Sequence, residues 1–403
     1  MRKSFAFLFA AALVLLIAGI TNAGDVAVKP YGFILTNVQY NNNKAFDIPI
    51  ITALKDTTAN FLITPRQSRF GLKIGYEEKD WKFAGNIELD FWGIKGSGAN
   101  GAAMQSAPRL RRAYIKMTKE KISLLFGQEW IIFAPLSPPS DAHVSIPAMT
   151  YAGNLWNRLP QVRFEYKNPM DNNVMLFQVA LVRPIGSDLT PTYGQGDLFG
   201  AGEFNGLPFV QGRLGMTFNK MLTVGVSGHF GQEDFEKLNN DTTYKEKTGT
   251  YAFAVDAKVA KQGVTFMAEG FMGANIHTLF SKATYFETTL TNGKKNEPLK
   301  AVGGWGSIGY KTQNSDAPVA VNAGVGMEIL DDEDTDVLAL MATQESKNMA
   351  MFGNIFYNPV SRLQMGLEVY FIKTTYKSVP APPTVVETDA DNVCINFSTK
   401  FSF

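Results

Sequence analysis

The sequence predicts an all-β protein, a transmembrane antiparallel β-barrel of about sixteen strands whose third external loop folds inward. Three observations carry that expectation. First, the chain ends by alternating Val393, Ile395, Phe397, Phe401 and Phe403 with Asn396, Ser398, Lys400 and Ser402, and its last residue is Phe. A pleat that is apolar on one face and polar on the other suits lipid outside and water inside. Second, Arg2 and Lys3 precede the apolar run Phe5 to Ile17 and the small-residue pattern Thr21-Asn22-Ala23, which reads as a removable secretory signal over 1–23. Third, no later apolar stretch reaches about eighteen residues, so the exported chain, one domain over 24–403, is not expected to span a bilayer as a helix.

Composition alone conceals this. Hydrophobic residues at 45%, charged residues at 19% and a net charge of +1 describe an ordinary globular protein, because a barrel hides its lipid face by alternation. The 36 Gly and 12% aromatics fit strands with interfacial aromatic girdles. A single cysteine, Cys394, excludes an internal disulfide framework and reads as a small lumen-facing filler.

Period-two segments of bilayer-crossing length fall at 31–40, 68–76, 81–92, 108–118, 121–130, 160–167, 173–183 and 207–219. Eight more follow at 221–231, 247–260, 262–274, 302–311, 318–329, 347–358, 360–373 and 391–403. Short turns alternate with long connections, which sets short periplasmic turns against long outer loops and puts both termini on the turn side. The short turns include Glu77 to Asp80, Lys119-Glu120, Asn219-Lys220 and Asn358-Pro359. A barrel near sixteen strands encloses water.

In the second segment Phe70, Leu72, Ile74 and Tyr76 take one face, and Arg69, Gly71, Lys73 and Gly75 the other. A charge on the lipid face at mid-depth costs roughly 2 to 4 kcal/mol, so the charged face is the lumen. The same parity sends Gln161, Arg163 and Glu165 inward, likewise Gln211, Arg213 and Thr217, and likewise Arg112, Tyr114 and Lys116. Arg109 and Arg111 lie towards the outer mouth, where an irregular strand start can turn either inward. Together these arginines predict a basic arc over half the wall. Nine of the eleven Arg lie between Arg66 and Arg213, and residues 31–230 carry 20 Lys+Arg against 15 Asp+Glu, while 231–403 carry 15 against 21. Arginine suits anion attraction because its fork pairs a carboxylate through two hydrogen bonds and stays charged. The competing reading is that Arg69, Arg163 and Arg213 pair with Glu88, Asp90, Glu129 or Glu165 and hold the wall's shape.

The connection 131–159 is the expected constriction loop. Pro135, Pro138, Pro139 and Pro147 stiffen it, Phe133, Leu136, Ile146, Met149, Tyr151 and Trp156 can pack on the wall, and Asp141 is its only carboxylate. Near-absence of acids there tilts the expectation towards anions. The acidic run Asp331 to Asp336 reads as a solvated or lipopolysaccharide-facing tip ahead of a Ca²⁺ site, since the Gly and terminal Glu of an EF-hand are missing.

Four segments, TPRQSRFGLKIG (64–75), RLRRAYIKM (109–117), LLFGQEWIIF (124–133) and LWNRLPQVRFEY (155–166), taken together in this order, resemble the DcaP-like trimeric porins. The resemblance is clearest from strand two to strand six. It implies a sixteen-stranded homotrimer admitting small organic anions such as dicarboxylates, with Arg66, Arg69, Arg112, Arg158 and Arg163 as attraction sites. With only Gly24 to Pro30 ahead of strand one, the amino-terminal helical extension that such porins can carry is not expected.

Enzyme chemistry is not expected. The chain has only His143, His229 and His277, and the run Asp141 to Ser145 does not make a catalytic triad from sequence neighbours. No metal, cofactor or nucleic-acid site is expected. The leading expectation is a passive diffusion channel for small anionic solutes. Its constriction set is Arg66, Arg69, Lys73, Arg109, Arg111, Arg112, Arg158, Arg163 and Arg213. Outer-membrane lipid, lipopolysaccharide and the barrel-assembly machinery, which would read the strand ending in Phe403, are the expected partners. A channel for phosphate, peptides or sugars, and a non-conducting adhesin barrel, stay open.

Overall fold

The computed structural model describes residues 26–43, 48–51, 58–93, 107–184, 200–244, 246–290, 293–313, 316–339, 343–381 and 384–403. The expected signal, 1–23, lies outside them. Strands run in the order β1 (Ala27–Asn41), β2 (Asn60–Thr64), β3 (Arg69–Glu78), β4 (Trp81–Gly93), β5 (Ala107–Lys119), β6 (Ile122–Trp130), β7 (Arg158–Met170), β8 (Asn173–Val182), β9 (Phe209–Phe218) and β10 (Leu222–Glu233). They continue with β11 (Thr248–Lys261), β12 (Val264–Ala274), β13 (Tyr285–Leu290), β14 (Gly293–Pro298), β15 (Lys300–Lys311), β16 (Val319–Leu330), β17 (Gln344–Val360), β18 (Leu363–Ala381) and β19 (Thr384–Ser402).

All but β2, β13 and β14 make the wall, giving sixteen antiparallel strands. The wall closes where β1 pairs β19, with Phe33 opposite Ser402 and Asn41 opposite Cys394. Closure removes every free edge, which lipid requires because it offers no hydrogen bonds. β2 prolongs β3 past the turn at Pro65 to Ser68, and both lie on β1. β13 and β14 form a separate outer hairpin. Short helices α1 (Ala201–Phe204), α2 (Phe235–Asn239) and α3 (Asp332–Ala339) sit in the long connections.

The predicted alternation is the observed one. Ile115, Val162, Val226, Val255, Ile308, Leu367, Ile395 and Phe401 face outward and exposed, while Gln161, Gln211, Glu368, Asn396 and Ser398 face inward and buried. Several short turns are tight and left-handed, with positive φ at Lys79, Glu120, Asp171, Asn219, Lys220 and Gln262. That conformation matches the twist of the paired strands.

Two expected connections differ. The turn expected at Asn358-Pro359 lies three residues later, at Ser361-Arg362, because Asn358 and Pro359 are absorbed into an irregularity of β17 between Tyr357 and Val360. The last long connection, expected between 373 and 391, is instead a hairpin: β18 and β19 stay paired from Leu363 opposite Phe401 out to Ala381 opposite Thr384. Threonines and valines hold it extended, and Lys373 to Asp389 at 2.7 Å and Thr375 to Asp389 at 2.7 Å clasp it across the strands. The acidic run forms α3, where Asp332 and Asp336 bind Lys377 at 3.1 and 2.7 Å. Among the described residues no three metal-ligating side chains converge.

Candidate functional site

The lumen is narrowed by the connection between β6 and β7. Ile131, Ile132, Phe133 and Ala134 leave β6 and turn inside, packing with Leu155, Leu159, Val182, Phe209, Ala252 and Phe271 in one apolar cluster. Each large side chain so buried contributes roughly 1.5 to 3 kcal/mol. The return leg is fixed by Trp156, stacked on Phe280 at 4.0 Å, and by the Asn157 Nδ2 donating to the Thr278 carbonyl at 2.7 Å.

Polar wall residues then hold the loop by its backbone. The Leu136 N–H donates to Glu269 on β12 at 2.7 Å. The Asp141 and Ala142 N–H groups donate to Glu368 on β18 at 2.9 and 2.7 Å. Those of Val144 and Ser145 donate to the Gln67 Oε1 at 2.7 and 2.8 Å, and the Ser145 hydroxyl donates to Asp90 on β4 at 2.9 Å. The loop thus crosses from β12 through β18 to β4, which spans the lumen. Where it runs closest to the wall, side chains are absent. Gly153 has φ +99°, and a Cβ on it would lie 2.2 Å from the Gly304 carbonyl oxygen; one on Gly326 would lie 2.3 Å from that of Ala152.

Facing this loop is the arginine wall. At Arg111 the β4–β5 register slips, so that Glu88 opposes Arg112 while Leu89 opposes Leu110. The extra residue turns Arg109, Arg111 and Arg112 all inward. Arg109 pairs Asp90 at 2.7 Å; Arg111 bridges Glu88 at 2.9 Å and Asp90 at 2.8 Å; Arg69 lies 3.6 Å from Glu88. Arg112 pairs Glu129, Lys116 pairs Glu165, and Arg163 lies 3.3 Å from Glu165. Arg213 meets Asp256 at 2.6 Å.

The remaining expected residues take other places. Arg66, in the turn between β2 and β3, lies 4.4 Å over the Trp92 ring. Arg158 is fully buried between Trp130 and Trp156, at 4.7 and 5.1 Å from their rings, so it braces the loop's end away from water. Lys73 lies exposed over the Tyr31 ring at 4.9 Å. Sequence reasoning missed Asp256, although it alternates inward with Ala254 and Lys258. It also missed the pair between Lys400 and Asp141.

These pairs are not symmetric towards water. Arg112 is 23% exposed against 9% for Glu129, Lys116 is 30% against 10% for Glu165, and Lys400 is 22% against 4% for Asp141. Arg69 and Glu88 show the same order. In these four pairs the carboxylate lies back in the wall and its cationic partner is the more exposed, whereas Arg111 with Glu88, at 0% and 3%, and Arg163 with Glu165, at 9% and 10%, show no such order.

A closed sixteen-stranded barrel with an inward-folded loop after its fifth wall strand and a charged lumen defines an outer-membrane β-barrel of porin architecture, a resident of the bacterial outer membrane. Its solved structural neighbours include an outer membrane channel and a porin. The outer membrane channel DcaP of Acinetobacter baumannii superposes with a TM-score of 0.71 at 18% identity, covering 95% of this chain and 99% of that one. An anion-selective porin from Comamonas acidovorans gives 0.55 at 12%, covering 94% and 100%. The trimer form of OmpT, an outer membrane protein of Vibrio cholerae, gives 0.54 at 12%, covering 94% and 100%. No protein-family model matches the sequence, and comparison with curated proteins finds no match.

Proposed function

We propose that this protein is a passive diffusion channel for small hydrophilic solutes that prefers anions, with small organic anions such as dicarboxylates as its substrate class. The observation that carries the reading is the asymmetry of the lumen ion pairs. A solute passing the constriction meets the guanidinium and ammonium groups of Arg69, Arg112, Lys116 and Lys400 before it meets their carboxylates. Such half-neutralised cations attract weakly and repeatedly, which conduction needs, since one tight site would trap the solute. The loop adds no opposing acid, because its single carboxylate, Asp141, is covered by Lys400. The channel performs no catalysis in this reading. The dicarboxylate preference and a homotrimeric assembly rest on the resemblance to DcaP-like porins. In the first outer loop Ile48 packs with Ile146 and Trp156, while 44–47 and 52–57 lie outside the described residues. Lipopolysaccharide around the barrel and assembly through the terminal strand belong to the same reading.

The test is the zero-current potential of the purified protein in a planar bilayer under a KCl gradient. A potential of the sign set by chloride supports the proposal. A potential set by potassium, or no conduction, overturns it.

A further inference from the structure

The short-turn end of the lumen carries a second set of cations that differs from the arginine wall. Lys29 on β1 precedes the inward Tyr31 by two residues, and Lys73 lies over that same ring. Lys167 follows the inward Glu165 by two residues, Lys258 follows Asp256 by two, and Lys311 follows Ser307 by four. Parity therefore places all five on the lumen face, towards the short turns, and all five are exposed. Among the described residues none has a carboxylate within ion-pair distance.

Their cross-strand neighbours explain why. Lys29 stands directly opposite Lys73. Lys167 faces Leu176, Lys258 faces Met267 and Thr223, and Lys311 faces Ala320. A like-charged pair directly opposite is destabilising, so the wall tolerates a cost here that an acid at either position would remove. Lumen-face carboxylates on the same strands are already engaged: Glu77 with Lys82 at 3.5 Å, Glu165 with Lys116 and Arg163, and Asp256 with Arg213.

We infer that Lys29, Lys73, Lys167, Lys258 and Lys311 form an anion-concentrating collar at the periplasmic mouth, separate from the paired arginines, that sets much of the channel's charge selectivity. This rests on the anion-channel reading and names the groups behind it. Unpaired ammonium groups raise the local anion concentration within about 8 Å at physiological salt. The collar at one end also makes the fixed charge asymmetric along the pore, so anion current should differ with the sign of the voltage.

The experiment compares the wild type with K73Q/K167Q/K258Q/K311Q and with the same four positions changed to Arg, by zero-current potential and current-voltage curves in KCl. Heat-modifiable mobility on gels reports folding of each. The collar is supported if the Gln variant loses about threefold or more in anion-over-cation permeability together with its rectification, while the Arg variant keeps both. It is overturned if the wild type prefers anions and the Gln variant is unchanged in selectivity and rectification. A wild type without anion preference overturns the underlying reading itself, so the two failures are told apart.

Discussion

Lys400 on the closing strand caps Asp141, the one carboxylate of the inward loop, and the Ser398 hydroxyl joins them at 3.3 Å from the same carboxylate. The contact ties the carboxy-terminal strand to the constriction and screens an acid that would otherwise face permeating ions. Lys400→Ala should therefore lower the anion preference. Asp141→Asn, which leaves the lysine alone, should raise it. Zero-current potentials of the two variants moving in the same direction would disprove this role.

Arg111 and Arg112 are sequence neighbours with different work. Arg111 is wholly buried against Glu88 and Asp90. Removing one partner of such a cluster leaves an uncompensated buried charge, at a cost of about 3 to 5 kcal/mol. Arg111→Ala should thus fall sharply in thermal stability. Arg112 lies nearer the water, and Arg112→Ala should change selectivity more than stability. Thermal melts in detergent alongside reversal potentials separate the two; equal losses of stability would contradict the division.

Gly326 leaves room for the loop at Ala152, where a Cβ would sit 2.3 Å from a carbonyl oxygen. Gly326→Val cannot fit without displacing the loop, and overpacking of this kind costs roughly 1 to 3 kcal/mol. We expect a barrel that still folds, with a higher single-channel conductance because its constriction has moved aside. Unchanged conductance would show that the loop does not limit the pore.

Much of this was readable from residues, and the limits have physical causes. Strand placement followed from lipid on one side and water on the other, which forces alternation in segments such as Phe70 to Tyr76. The inward turn of Arg111 was not fixed by parity, because it depends on a register slip against β4. Glu269 and Glu368 alternate inward like any channel acid; only the folded loop shows that they receive its backbone N–H groups. Lys167, Lys258 and Lys311 sit beside turns, where a charge ordinarily means solvent. The outer half of β18 and β19 looked like a loop because, beyond the bilayer, alternation between lipid and lumen no longer applies.

His143 makes the docking of the loop depend on pH. Its ring packs on Tyr370 at 4.5 Å, wholly buried, and burial pushes its pKa down to about 3. When the loop is released the ring titrates near its ordinary value of 6.5. The histidine's own contribution to docking is therefore at full strength above pH 6.5. It weakens as the pH falls from there towards 3, because only the released state takes up the proton; at pH 5 the loss is about 2 kcal/mol. The groups facing the ring's surroundings include Asp141, Glu368 and Lys400, so the histidine's share has to be isolated by substitution. Amide hydrogen exchange across residues 140–146, corrected for intrinsic rates, should show weaker protection at pH 5 than at pH 7 in the wild type. His143→Gln should flatten that difference, and an unaltered pH dependence in the variant would assign the effect to the carboxylates instead.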